Sequence, residues 1–137
     1  MQSELPKGKY ILYADDDPED KEIIKDGLKE INTDVEMVLV NHGLDALKFL
    51  ESLNSSENYP CLILLDINMP ILNGLETLKI LKERKNFQDI PVIMFSTSSD
   101  QKSRQKSLEL GAADYVTKPI NFNNFKEIAA KFVAKCE

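Results

Sequence analysis

Three consecutive aspartates, Asp15, Asp16 and Asp17, follow one short apolar run, and a further aspartate, Asp66, ends another. Ser96 closes a third such run, and Lys118 follows a fourth. Carboxylates held a few ångströms apart repel each other and raise one another's pKa unless a cation joins them. A hard cation with oxygen ligands suits such a set. Magnesium in particular needs only one or two carboxylates, keeps some of its water and accepts phosphate oxygens. A carboxylate can also act as a nucleophile and form an aspartyl phosphate. Phosphoryl transfer requires charge neutralisation and positioning more than acid–base work, and a metal, a lysine and a hydroxyl supply both. Whether this chemistry is available depends on whether the chain brings these side chains together.

The elements that must position them are marked by periodicity. Cys61 to Leu65 carries no charge and reads as a strand buried on both faces, as in the centre of a parallel sheet. Met69-Pro70 ends that strand beyond Asp66, and Gly74 supplies the positive φ expected of a tight return. Upstream, Lys9 to Ala14 is the first strand. Asp17 followed by Pro18 reads as an N-cap and a first helical residue. That helix runs to about Ile31, with Ile23, Ile24, Gly27, Leu28 and Ile31 on one face. Val35 to Val40 is the second strand, and Asn41-His42-Gly43 a turn with His42 as an exposed loop residue. Leu44, Leu47, Leu50 and Leu53 form the stripe of a second helix.

Leu75, Leu78 and Leu81 mark a third helix after Gly74, and Pro91 to Phe95 is a fourth strand. Ser98 with Gln101 three residues on has the form of a capping box. The helix it opens, Gln101 to Glu109, is polar except for Leu108 and should pack lightly, with Gly111 as its C′ residue. Tyr115-Val116 is a short fifth strand. A last helix carries Phe122, Phe125, Ile128, Ala129, Phe132 and Val133 on one face.

Five strands alternating with five helices predict an α/β fold: a doubly wound parallel sheet with helices on both faces and right-handed crossovers. A flavodoxin-like (βα)5 arrangement with strand order 2-1-3-4-5 suits this length, and it makes the first and third strands neighbours at the switch point where ligands bind. Asp15 to Asp17, Asp66, Ser96 and Lys118 then all arrive at one edge of the sheet.

The bulk numbers narrow the partners. A chain of 137 residues with 42% apolar and 29% charged residues suits one soluble domain. Residues 1–8 are polar and are expected to be a disordered lead, with the domain at 9–137. A net charge of −6 argues against nucleic acid or an anionic membrane as partner. No apolar run has transmembrane length and the first residues lack a signal-peptide core, so a cytoplasmic location is expected. Cys61 opens a buried strand and reads as a packed, reduced thiol rather than half of a disulfide with Cys136. Two cysteines and one histidine give no zinc-type pattern.

Four motifs in order resemble the receiver domains of two-component response regulators. They are Asp15-Asp16 after the first strand, Leu-Leu-Asp66-x-x-Met-Pro-x-x-x-Gly on the third, a hydroxyl after Pro-Val-Ile-Met-Phe, and Gly-Ala-x-Asp-Tyr-Val-x-Lys118-Pro before the last helix. The resemblance covers about residues 9–135. It implies that Asp66 is the phosphoacceptor, that Asp16 is the principal Mg2+ ligand with Asp15 near the metal through water, and that Asp66 and the Asn68 carbonyl complete the protein ligands. It also implies that Ser96 and Lys118 hold the phosphoryl oxygens, that Tyr115 reorients with Ser96 as a switch, and that the Lys118–Pro119 bond is cis. The implied donor is a histidine kinase or phosphotransfer protein, and the implied output a contact with a downstream protein by a monomer or weak dimer. Asp-Ile-Asn-Met-Pro and Phe-Ser-Thr-Ser-Ser are similar to the stand-alone receivers associated with bacterial phytochrome-type kinases. Ending just after the last helix, the chain is expected to lack an output domain and to catalyse only its own phosphotransfer and dephosphorylation. Thr97 departs from the family, which usually has alanine or glycine after the strand-four hydroxyl.

Three rival classes make different demands. A flavodoxin-like flavin binder needs a phosphate cradle after the first strand, where this chain has three aspartates. A haloacid-dehalogenase-type phosphatase needs Asp-x-Asp, and Asp66-Ile-Asn68 lacks the second acid. A constitutive interaction module of the same fold needs none of the acids or the lysine, yet all are kept.

Overall fold

The computed structural model describes residues 5–98, 100–119 and 125–136. Tyr10–Ala14 is buried at every position and forms strand β1. Leu62–Leu65 and Val92–Ser96, equally buried, form β3 and β4. Glu36–Val40 (β2) and Asp114–Thr117 (β5) are less covered, as edge strands are. All neighbours pair in parallel, in the order β2-β1-β3-β4-β5. The flavodoxin-like order expected from the alternation is the one found. Helices α1 (Pro18–Lys29), α2 (Gly43–Glu51), α3 (Gly74–Glu83) and α4 (Gln101–Glu109) fill the crossovers, and α5 (Phe125–Cys136) follows β5.

Side chains alternate across the strands, so the sheet has two apolar faces. Leu12, Ala14, Ile63, Leu65, Val92 and Met94 meet Ala46, Leu47 and Leu50 of α2 and Leu78 and Leu81 of α3. On the other face Ile11, Tyr13, Leu62, Leu64, Ile93 and Phe95 meet Ile24 and Leu28 of α1 and Ala129, Phe132 and Val133 of α5. Leu5 packs, partly buried, against the α2–α3 cluster, so part of the lead expected to be disordered touches the core. Residues 1–4 of that lead, and Phe122 of the last helical stripe, lie outside the described residues.

Several local expectations are corrected. Gly74 does not supply a positive φ; that conformation falls on Ile71, at φ 70°. Gly74 is required for another reason: a Cβ there would stand 2.2 Å from the Asp66 carbonyl oxygen, so only glycine lets α3 start against the end of β3. The cap of α4 is Asp100, which accepts from the Ser103 amide at 2.6 Å, and not Ser98, whose hydroxyl instead donates to Asp100 at 2.8 Å. His42 is not an exposed loop residue: it is the half-buried N-cap of α2, its Nδ1 accepting from the Asp45 amide at 3.2 Å. No cis peptide bond occurs among the described residues, so the Lys118–Pro119 bond is trans. Cys61 and Cys136 form a disulfide with Cα atoms 5.1 Å apart. The reading of reduced thiols failed because 75 residues of sequence hide a spatial fact. The last turn of α5 lies on the apolar face where β3 begins.

Candidate functional site

Register assembles the site. Ala14 pairs with Leu65, so the residues that follow them, Asp15 and Asp66, leave the sheet side by side. The Asp66 amide donates to the Ala14 carbonyl at 3.1 Å and prolongs the ladder. Ser96 pairs with Thr117, and the Lys118 amide donates to the Ser96 carbonyl at 2.8 Å. The four strand ends predicted to converge do so.

Lys118 is the hub of the side chains. Its Nζ donates to Asp15 at 2.6 Å, to Asp20 at 2.8 Å and to Asp66 at 3.1 Å. An ammonium has three protons, so this one is fully engaged. Asp15 is completely buried; it also accepts from the Tyr13 hydroxyl at 2.7 Å and from the Asp17 amide at 2.9 Å. Asp16, by contrast, is exposed. One oxygen from each of Asp15, Asp16 and Asp66 lies within 4.8 Å of the others, a hard-oxygen donor set that fits a divalent cation. Asp66 accepts from the Asn68 amide at 3.3 Å. Ser96 is buried beside it and Thr97 is exposed. Tyr115 is buried, and its hydroxyl donates to the Ser98 carbonyl.

Charge and burial oppose each other here. Burial pushes the Asp66 carboxyl above its ordinary range; the Lys118 charge works against that, the Asp15 charge adds to it, and the Ser96 hydroxyl favours the ionised form. Burial also disfavours the Lys118 ammonium, but the hydrogen bonds it donates to Asp15 and Asp20 and the charges of Asp15 and Asp66 outweigh it, so Lys118 is held above the ordinary lysine range. The Tyr13 hydroxyl is raised first by its burial and then by the Asp15 charge, so it stays a donor.

Two participants escape a reading by motif. Tyr13 looks like core, yet residues two apart on a strand share a face, which sets its hydroxyl under Asp15. Asp20 looks like an acid placed in the first helical turn to suit the helix dipole. Its position three residues after the Asp17 cap, one turn on, was the available signal.

The family model of the response regulator receiver domain matches residues 11–130. The response regulator Rcp1 of Synechocystis sp. (strain ATCC 27184 / PCC 6803 / Kazusa) is 33% identical over 126 residues, covering 90% of this chain and 86% of Rcp1. The crystal structure of Mn(2+)-bound Rcp1 superposes with a TM-score of 0.80 at 32% identity, covering 90% of this chain and 91% of that one. The crystal structure of the phosphorylated cyanobacterial phytochrome response regulator RcpA gives 0.80 at 30% identity, covering 92% and 94%. A transcriptional regulatory protein, the CpxR homolog of Haemophilus influenzae, is 40% identical over 111 residues, which are 81% of this chain and 44% of that protein. The chain belongs to the response regulator receiver domain family, whose function is to accept a phosphoryl group from histidine kinases or phosphotransfer proteins in two-component signalling. The divalent metal of that family is Mg2+, and the aspartate cluster fits it.

Proposed function

We propose that Asp66 is the phosphoacceptor of this chain and that the domain switches a protein-contact face when it is phosphorylated. The carrying observation is that Asp66 belongs at once to the cation-binding carboxylate set and to the lysine-bound set. An oxygen of the Asp66 carboxylate attacks the phosphorus of a phosphohistidine; the oxygen–phosphorus bond forms as the phosphorus–nitrogen bond breaks, and the electron pair stays on the ring nitrogen, which leaves as neutral imidazole because the other ring nitrogen already carries a proton. A bound Mg2+, held by Asp15, Asp16, Asp66 and the Asn68 carbonyl, would offset the charge gathered on the phosphoryl oxygens. Lys118 and Ser96 take the remaining oxygens, one by charge and one by a hydroxyl proton. Drawing the Ser96 hydroxyl toward the phosphoryl group loosens the segment to Ser98, which the Tyr115 hydroxyl grips, and so reaches the α4–β5 surface.

On this reading the domain acts in the cytoplasm as a monomer or weak dimer. It catalyses only its own phosphotransfer and slow hydrolysis, and passes the signal to a downstream protein. The test is incubation with acetyl phosphate and Mg2+, followed by intact mass. Wild type should gain one phosphoryl group and Asp66→Asn none. Unmodified wild type would instead favour a constitutive interaction module, and a modified Asp66→Asn would move the acceptor elsewhere.

A further inference from the structure

Lys118 has one partner that the acceptor chemistry does not require. Asp15 and Asp66 serve both the cation-binding set and the lysine, whereas Asp20 contacts the lysine and is not in the cation-binding set. Its side chain is 15% exposed and comes from the first turn of α1, whereas Lys118 follows the end of β5. All three ammonium protons are taken in this arrangement, so a phosphoryl oxygen can reach Lys118 only if one carboxylate gives it up. The contact with Asp66 is the longest of the three, and acyl phosphate formation removes the charge of the Asp66 carboxylate. A cation shared by Asp15 and Asp66 also lowers the pull of Asp15. Asp20 is the one carboxylate whose hold neither event weakens.

We propose that Asp20 is a positioning residue that retains the Lys118 ammonium in the resting site and competes with the phosphoryl group for it. The proposal rests on the reading of Asp66 as phosphoacceptor. Asp20 thereby keeps a buried lysine paired before phosphorylation and limits how firmly that lysine can grip the product. A carboxylate also repels the phosphoryl dianion across a few ångströms in a partly dry site, which acts in the same direction.

The substitution Asp20→Asn keeps the shape and the acceptor oxygen and removes the charge. The probe is trifluoroberyllate with saturating Mg2+, titrated by fluorine NMR. We expect Asp20→Asn to bind it about tenfold more tightly than wild type, and Asp20→Glu, which restores the carboxylate, to fall back toward the wild-type value. In the apo protein the ammonium protons of Lys118, followed by nitrogen-edited NMR, should exchange with water faster in Asp20→Asn than in wild type. A purely structural role in α1 would not produce that signature together with tighter binding. Equal or weaker binding by Asp20→Asn, or unchanged exchange at Lys118, overturns the proposal. Failure of wild type to bind the probe at all overturns the phosphoacceptor reading itself, and the two failures are distinct.

Discussion

The two flanks of the sheet hold the same site in different ways. On one flank α1 and α5 are packed tightly: Ile24 and Phe132 are fully buried, and a Cβ on Gly27 would stand 3.0 Å from that of Phe125. Phe132 meets Phe95 edge-on at 5.3 Å between ring centres, and the disulfide fixes the end of α5 to the start of β3. On the other flank, Ser107 is the one buried residue of α4, and Leu108 is 44% exposed. Polar contacts tie α4 and the segment before it to β5: the Tyr115 hydroxyl on the Ser98 carbonyl and Arg104 on the Tyr115 carbonyl at 3.2 Å. Apolar burial holds an element over a wide range of conditions, whereas a few polar contacts can be traded for others at little cost. The acids of the site project from the firm side and the centre, while Ser96 and Tyr115 face the yielding side. A charge change at Asp66 therefore finds a fixed anchor on one hand and a movable surface on the other.

Core truncation should expose this difference most strongly. Phe132→Ala removes a fully buried ring from α5 and should cost about 3–5 kcal/mol. Leu108→Ala on α4 should stay within about 0.5 kcal/mol of wild type. Urea unfolding of both variants checks the pair, and comparable losses would erase the distinction between the flanks.

The next effect in size is that of the disulfide. Closing a loop across a separation of 75 residues limits the unfolded chain by an amount worth about 4 kcal/mol in the chain-entropy model. Cys136→Ser should lower the unfolding free energy by about 2–4 kcal/mol. It should also raise amide exchange in the last turns of α5 before it does so in α4. Exchange that rises first in α4 would show that the cross-link does not act on the flank where it lies.

The sequence and the fold agree where the signal is local or topological. Alternation of strands and helices was enough for the sheet order. Strand-end residues were enough to bring Asp15, Asp66, Ser96 and Lys118 together. What could not be read depends on contacts across the fold. The pairing of Cys61 with Cys136 is set by where α5 crosses β3, and no local pattern carries that. Asp20 reaches Lys118 across 98 positions, and its neighbours in sequence explain it fully as a helix-start acid. Gly74 was legible as a necessary glycine but for the wrong reason, because the crowding comes from the Asp66 carbonyl and not from its own φ. The α4 cap lies two residues beyond the expected Ser98. Both Ser98 and Asp100 are competent caps, and backbone geometry chose the second.

That cap yields the smallest and most local effect, and it bears on the yielding flank alone. The Ser103 amide and the Ser98 hydroxyl both donate to Asp100, so its carboxyl is held below the ordinary carboxylate value of 3.8. An acid with a depressed folded pKa binds fewer protons folded than unfolded, so its contribution rises with pH across the interval between the two values. The contribution is present in full above 3.8 and is lost as the pH falls through the depressed value. Asp100 is exposed, so the loss should appear in helix fraying and not in the global melt. Amide exchange in Gln101 to Ser107, compared with that in α1, should accelerate selectively below the ordinary carboxylate range. Asp100→Asn keeps an acceptor for the Ser103 amide at every pH, so it should remove the selective acceleration and leave other acid-induced changes in place. If α4 in that variant still loosens ahead of α1 as the pH falls, the yielding of this flank has a source other than its cap, and the sparse burial around Ser107 would have to account for it alone.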